Sequence, residues 1–286
     1  MTQFGKRITT FTLILASAAV GNLWADDDSG VCNGLPDYPT LKSALTAAVQ
    51  AETSGLHNNM WATVVDRDGN VCAIAFTGNN RGAQWPGSRV ISAQKANAAN
   101  AFSLDPSSLN ITAGQAGGLA LSTANLYSAV QPGGSLFGLQ FSNPVVEDNA
   151  YVGPGARWGT QNDPLVGKKI GGVNVFGGGL ALYGAGHVIM GAVGVSGDTS
   201  CTDHDVAWRL RHNLGFDHMA VGGGVFTAVA GPAALFASDP THPDNIIYDI
   251  TANPNGGTGI SKSGFGHPSC LNPPDFTKSP LPAVVP

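Results

Sequence analysis

Hydrophobic positions along this chain alternate between a helical period and a strand period. Leu41, Ala44, Leu45, Ala48 and Val49 fall on one helical stripe, with Thr40 placed to cap it. Residues 61–65 read as a strand, residues 66–70 (Asp-Arg-Asp-Gly-Asn) as a turn, and residues 71–76 as the hairpin partner. An alanine-rich helix is expected over 88–102, broken near Asp105-Pro106. Leu119, Leu121, Leu126 and Val130 predict a further helix within 112–130. Strands are expected at 172–176, 180–183 and 188–195, with a turn at 184–186. Thr202-Asp203-His204-Asp205 has capping-box spacing ahead of a helix whose stripe is Val206, Leu210 and Leu214.

The order helix, hairpin, helices, hairpin, helix favours an α/β (α+β) domain, a central antiparallel sheet flanked by helices, over a doubly wound parallel sheet. Residues 131–172 are rich in Gly, Pro and Asn and read as holding an irregular insertion, centred near 145–171. Beyond Gly231 the periodicity fades, so 26–230 is expected to form one domain and 231–286 an extension packed on it.

The first residues change the picture of where such a domain works. Lys6 and Arg7 precede an apolar run that ends before Leu23-Trp24-Ala25, the layout of a secretory signal peptide cleaved after Ala25. The run is too short to span a bilayer, which takes about 20 residues. A periplasmic or secreted protein is therefore expected. Cys32, Cys72, Cys201 and Cys270 all follow the cleavage point, and an even number in an oxidising compartment points to disulfides. Cys32–Cys72 with Cys201–Cys270 is the favoured pairing among three. No Cys-x-x-Cys occurs, so no metal is assigned to the cysteines. Loss of Lys6 and Arg7 takes the net charge from −5 to about −7, which argues against nucleic acid and anionic lipid as partners.

Candidate chemistry gathers in two places. Lys95 shares the stripe of Ile91, Ala98, Ala99 and Phe102, so its ammonium either snorkels to solvent or enters a pocket, where it needs an anionic partner. Arg81, Ser88 and Arg89 are close enough in sequence to widen an anion-binding patch. The second place is Ser196 at a strand end, followed by Asp203 and His204 at a helix start. Gly194-x-Ser196 resembles a nucleophile elbow, but Asp198 stands where the last glycine is required.

Several blocks resemble the GlcG/HbpS family, which includes the C-terminal domain of PduO-type proteins. They are residues 62–66 with Asp68-Gly69, residues 88–102 around Lys95, Gln131-Pro132-Gly133 with 137–139, residues 177–182, residues 191–197, and 203–207. The resemblance implies a profilin-like fold, a homo-oligomer, and non-covalent binding of haem or a related tetrapyrrole, with roles in iron handling or redox sensing. It supports Lys95 as part of a pocket or its wall. The insertion, the extension, Asn97 and Asn100 depart from the family pattern. Beside a haem-binding module stands an alternative function: an enzyme acting on a small organic acid, with Lys95 as clamp or base and Asp203 or His204 carrying the proton.

Overall fold

The computed structural model describes residues 31–107, 118–220, 239–251, 253–257 and 259–286. The expected signal peptide lies outside them, as does part of the expected helix at 112–130. Helix α1 (Tyr38–Gln50) is followed by the hairpin β1 (Trp61–Asp66) and β2 (Val71–Phe76), and then by α2 (Ser88–Phe102). Two one-turn helices, α3 (Leu139–Ser142) and α4 (Glu147–Ala150), lie in the insertion. Strands β3 (Gly179–Tyr183) and β4 (Ile189–Ser196) lead into α5 (Ser200–Asn213), and β5 (Ile250–Thr251) pairs with β6 (Ile260–Ser261). The main sheet has the order β2-β1-β4-β3 and every neighbouring pair is antiparallel.

Side chains alternate across this sheet, as strand geometry demands. Ala62, Val64, Val193 and Val195 face α1 and α5, where Leu41, Leu45, Val206 and Trp208 complete one core. Trp61, Val65 and Ile74 face α2, where Ala93, Ala96 and Ala99 pack together with Ala150, Leu165 and Ile170 of the insertion. The sheet is thus sandwiched between helical layers, one of which the insertion extends. Burial of both faces explains why its strands carry few polar residues.

Helix α2 can approach the sheet closely because glycine lies beneath it. A Cβ on Gly194 would collide with the Ser92 carbonyl oxygen and the Ala96 amide. One on Gly179 would press on the Lys95 carbonyl oxygen and the Thr123 side chain. Arg67, in the β1–β2 turn, donates to the Ser103 carbonyl oxygen at 3.0 Å and to Asn100 Oδ1 at 3.1 Å, closing the C-terminal end of α2. The Asp66 carboxylate holds the turn itself, accepting from the Asp68 and Asn70 amides at 3.0 and 2.8 Å.

Several expectations shift. The cap of α1 is Asp37, whose carboxylate accepts from the Thr40 amide at 3.0 Å, so Thr40 is the capped residue and not the cap. Likewise Thr199 caps α5 by accepting from the Thr202 amide, and the helix begins three residues earlier than expected. Residues 172–176 form no strand: Gly172 takes φ +73°, and its carbonyl oxygen receives the Asn97 side chain at 2.8 Å instead of joining a ladder. In the described part of 112–130 the chain makes 3-10 turns at Thr123–Leu126 and Ser128–Val130. Both favoured disulfides are present, Cys32–Cys72 and Cys201–Cys270.

The end of the extension lies against the α1/α5 core. Leu281 and Val284 join the α1/α5 cluster, and Trp208 Nε1 donates to the Pro282 carbonyl oxygen at 2.9 Å. Gly194→Ala is expected to lower stability by about 1–3 kcal/mol through overpacking under α2, measured by chemical denaturation.

Candidate functional site

A cleft of about 520 Å³ opens where α1, the end of β2 and the insertion meet. Tyr38 and Lys42 enter it from α1, Phe76 from β2, and Asn79, Asn80 and Arg81 from the following loop. Gly155, Trp158 and Gly159 of the insertion form the opposite wall. A neighbouring groove of about 250 Å³ runs along the edge strand β2 and shares Tyr38 and Thr160 with it. The large cleft has three aromatic side chains and two cations and is lined by no carboxylate. That is notable in a chain of net charge −5. Lys42 Nζ donates to the Phe76 carbonyl oxygen, and partial burial lowers the pKa of its ammonium.

The insertion wall is fixed from behind. Arg89 is buried and makes a bidentate pair with Asp163, with Nε–Oδ2 at 2.9 Å and Nη2–Oδ1 at 2.5 Å. It also donates to the Ala150 carbonyl oxygen at 2.8 Å. Asp163 in turn accepts from the Gly159 and Leu165 amides at 2.7 and 2.9 Å. The Arg89 guanidinium lies 4.8 Å from the centre of the Trp158 ring. Gly159 has φ +74°, and a Cβ there would strike Trp61 and Phe76, whose rings stack at 4.3 Å. The cleft wall therefore depends on a buried ion pair outside the cleft.

Of the residues singled out in the sequence, Arg81 lines this cleft and the others do not. Ser88 is the buried first residue of α2, and Ser196 ends β4 opposite Trp61. Lys95 and Asp203 come together: Nζ–Oδ2 is 2.7 Å, and Nζ also donates to the Val195 carbonyl oxygen at 2.9 Å. The Phe176 ring centre lies 4.5 Å from the ammonium. The anion that Lys95 needs is thus supplied by the chain itself. Burial raises the Asp203 pKa to about 6 against the opposing pull of Lys95, and burial lowers that of Lys95.

His204 is fully buried on α5 and neither ring nitrogen makes a hydrogen bond of good geometry. Burial lowers its pKa to about 3, although the Asp244 charge and the Asn245 side chain act the other way. Sequence reasoning missed Tyr38, Lys42, Phe76 and Trp158. For Trp158 the one sequence signal is its position in the insertion, whose role as a wall emerges from the fold.

These features define an α+β domain with an open cleft at one edge of its sheet. A family model described as "Haem degrading protein HbpS-like" matches residues 40–210, and the chain belongs to this family. Among solved structures it is similar to the PduOC:heme complex, at 20% identity and TM-score 0.39, over 61% of this chain and 89% of that one. It is also similar to the Klebsiella pneumoniae protein ORFY, at 24% identity and TM-score 0.38, over 63% and 90%. A double mutant of Streptomyces reticuli HbpS follows at 16% identity and TM-score 0.35, over 62% and 84%. No curated protein matches the chain. No helix among the described residues is long and apolar enough to cross a membrane.

Two outcomes are expected. Asp163→Ala leaves the Arg89 charge buried and unpaired, and should cost about 3–5 kcal/mol in chemical denaturation. His204 is neutral when folded yet takes up a proton when unfolded below pH 6.5, so it removes stability as pH falls from 6.5 toward 3. Asp203 acts oppositely between its ordinary 3.8 and about 6, so the difference between wild type and His204→Gln is the quantity to follow. That difference should move against the wild type by about 1 kcal/mol per pH unit over the His204 window in pH-resolved urea melts.

Proposed function

We propose that the protein binds haem or a related tetrapyrrole, non-covalently, in the cleft between α1, β2 and the insertion. The observation that carries this reading is the pairing of three aromatic walls with two cations and no carboxylate. Such a lining suits a flat apolar macrocycle bearing two carboxylates. Tyr38, Phe76 and Trp158 would lie against the ring, and Lys42 and Arg81 would meet the propionates. The Tyr38 phenol offers an oxygen donor suited to ferric iron. Bound haem would supply redox-active iron, and membership of the HbpS-like family supports this ligand class. Ser88, Lys95, Ser196, Asp203 and His204 would serve it indirectly, by setting the frame on which the cleft is built.

The same reading includes export and assembly. The two disulfides support an oxidising compartment after cleavage behind Ala25. Phe137 and Phe141, which are 60% and 81% exposed, support contact between copies in a homo-oligomer. A titration of haemin into the purified oxidised protein tests the central point. A saturable Soret shift at about one haem per chain is expected, with quenching of tryptophan emission. Arg81→Ser should weaken binding about tenfold. Haem bound no more tightly than by an unrelated acidic protein refutes the reading. Displacement of haem by a small organic acid at low concentration would favour the enzyme instead.

A further inference from the structure

The Cys201–Cys270 disulfide lies beside an imidazole already held in place. His267 is 3% exposed, and its Nδ1 lies 4.0 Å from Cys201 Sγ. The ligand atoms of Cys201, His267 and Cys270 all lie within 4.8 Å of one another. Nδ1–H donates to the Pro268 carbonyl oxygen at 2.6 Å, while Nε2 pairs with Ser200 Oγ at 2.7 Å. Ser200 Oγ also accepts from the Gly177 amide at 2.6 Å, so the serine is itself fixed. The Tyr127 ring covers the imidazole, with centres 5.1 Å apart.

The start of α5 reaches both sulfurs. Cys201 is in the first turn of α5, and its amide donates to Cys270 Sγ at 3.1 Å. Helix N-termini and nearby cations both lower thiol pKa values. Cys270 is half-buried, while Cys201 is fully buried, so Cys270 is the more open of the two residues.

We infer that reduction of Cys201–Cys270 creates a site for a soft divalent cation of the zinc class, held by Cys201 Sγ, Cys270 Sγ and His267 Nδ1. The step needs a dithiol reductant. Its thiolate attacks Cys270 Sγ, the S–S bond breaks with Cys201 leaving as thiolate, and the second thiol of the reductant then releases Cys270. Two electrons pass to the protein sulfurs, and the reductant becomes its cyclic disulfide. The metal displaces the remaining thiol protons to solvent. The imidazole proton moves from Nδ1 to Nε2, the Nδ1 bond to the Pro268 carbonyl oxygen is given up, and Nε2–H donates to Ser200 Oγ, which fills the outer position of a metal-bound histidine. Two thiolates and one imidazole match the borderline-soft character of zinc and leave one coordination position open.

The other cysteine pair is the built-in control. Asp66 lies near Cys32 and Cys72, but its oxygens already accept from the Cys32, Asp68 and Asn70 amides and the Asn70 side chain. Among the described residues no histidine joins that group.

The test uses the full chain, reduced with a dithiol, freed of reductant under anaerobic conditions and titrated with Co²⁺ as a zinc probe. Thiolate-to-cobalt charge-transfer absorption is expected with the reduced protein and not with the oxidised one. His267→Gln leaves both disulfides intact on folding and should weaken Co²⁺ binding at least about tenfold after reduction. Cys32→Ser/Cys72→Ser should keep the signal. The inference is overturned if the reduced protein shows no charge-transfer band, if His267→Gln binds as tightly as wild type, or if the double variant abolishes the band.

Discussion

The rest of this structure depends on how closely α2 approaches β4. With glycine at 179 and 194, helix backbone rests on strand backbone, and the alanines at 93, 96 and 99 need no more room. At that distance Lys95 has no path to solvent, so its ammonium must find its partners inside the protein. The end of β4 supplies the Val195 carbonyl oxygen, and the first turns of α5 supply Asp203. One steric constraint therefore sets both the packing of the sheet and the position of the helix that follows it.

Three ion pairs between fully buried side chains carry this logic outward. Lys95–Asp203 joins α2 to α5 within the domain core. Arg89–Asp163 joins α2 to the insertion, and Arg211–Asp244 joins α5 to the extension. Such pairs return little net stability once desolvation is counted, but breaking one is costly. Here the second and third each fix where an irregular segment lies. The cleft inherits its shape from this arrangement, since Arg89 holds the wall that carries Trp158 and Gly159.

Much of the frame was legible in the residue pattern. The hairpin at 61–76 could be read from a strand period broken by Asp-Arg-Asp-Gly-Asn, and α2 from its alanine spacing. Caps were misread because Thr40 and Thr202 are the residues whose amides are capped, and a hydroxyl three positions inside a helix looks like a cap in sequence. Lys95 was recognisable as a cation on an apolar stripe, whereas its partner lies 108 residues away and only the fold brings them together. Arg81 was singled out in the sequence, and it lines the cleft. The facing wall was not, because residues 155–160 have no periodicity and gain their role from a pair buried behind them. The strand expected at 172–176 failed for a backbone reason, the positive φ of Gly172.

The way the extension finishes the core has a consequence for the order of assembly. Val285 exchanges backbone hydrogen bonds with Asp217 and Met219, and Leu281 and Val284 share a cluster with Leu41 and Leu45 of the first helix. Residues some 240 positions apart thus fill one interior. A chain emerging from the ribosome cannot close that interior until its residues near 284 are free to reach α1. Local hairpins and helices can form during synthesis, but sealing the molecule is a late event governed by distant contacts, which makes it slow. Until then, the face of α5 around Trp208 lacks the Pro282 carbonyl oxygen and the Leu281 and Val284 side chains that cover it.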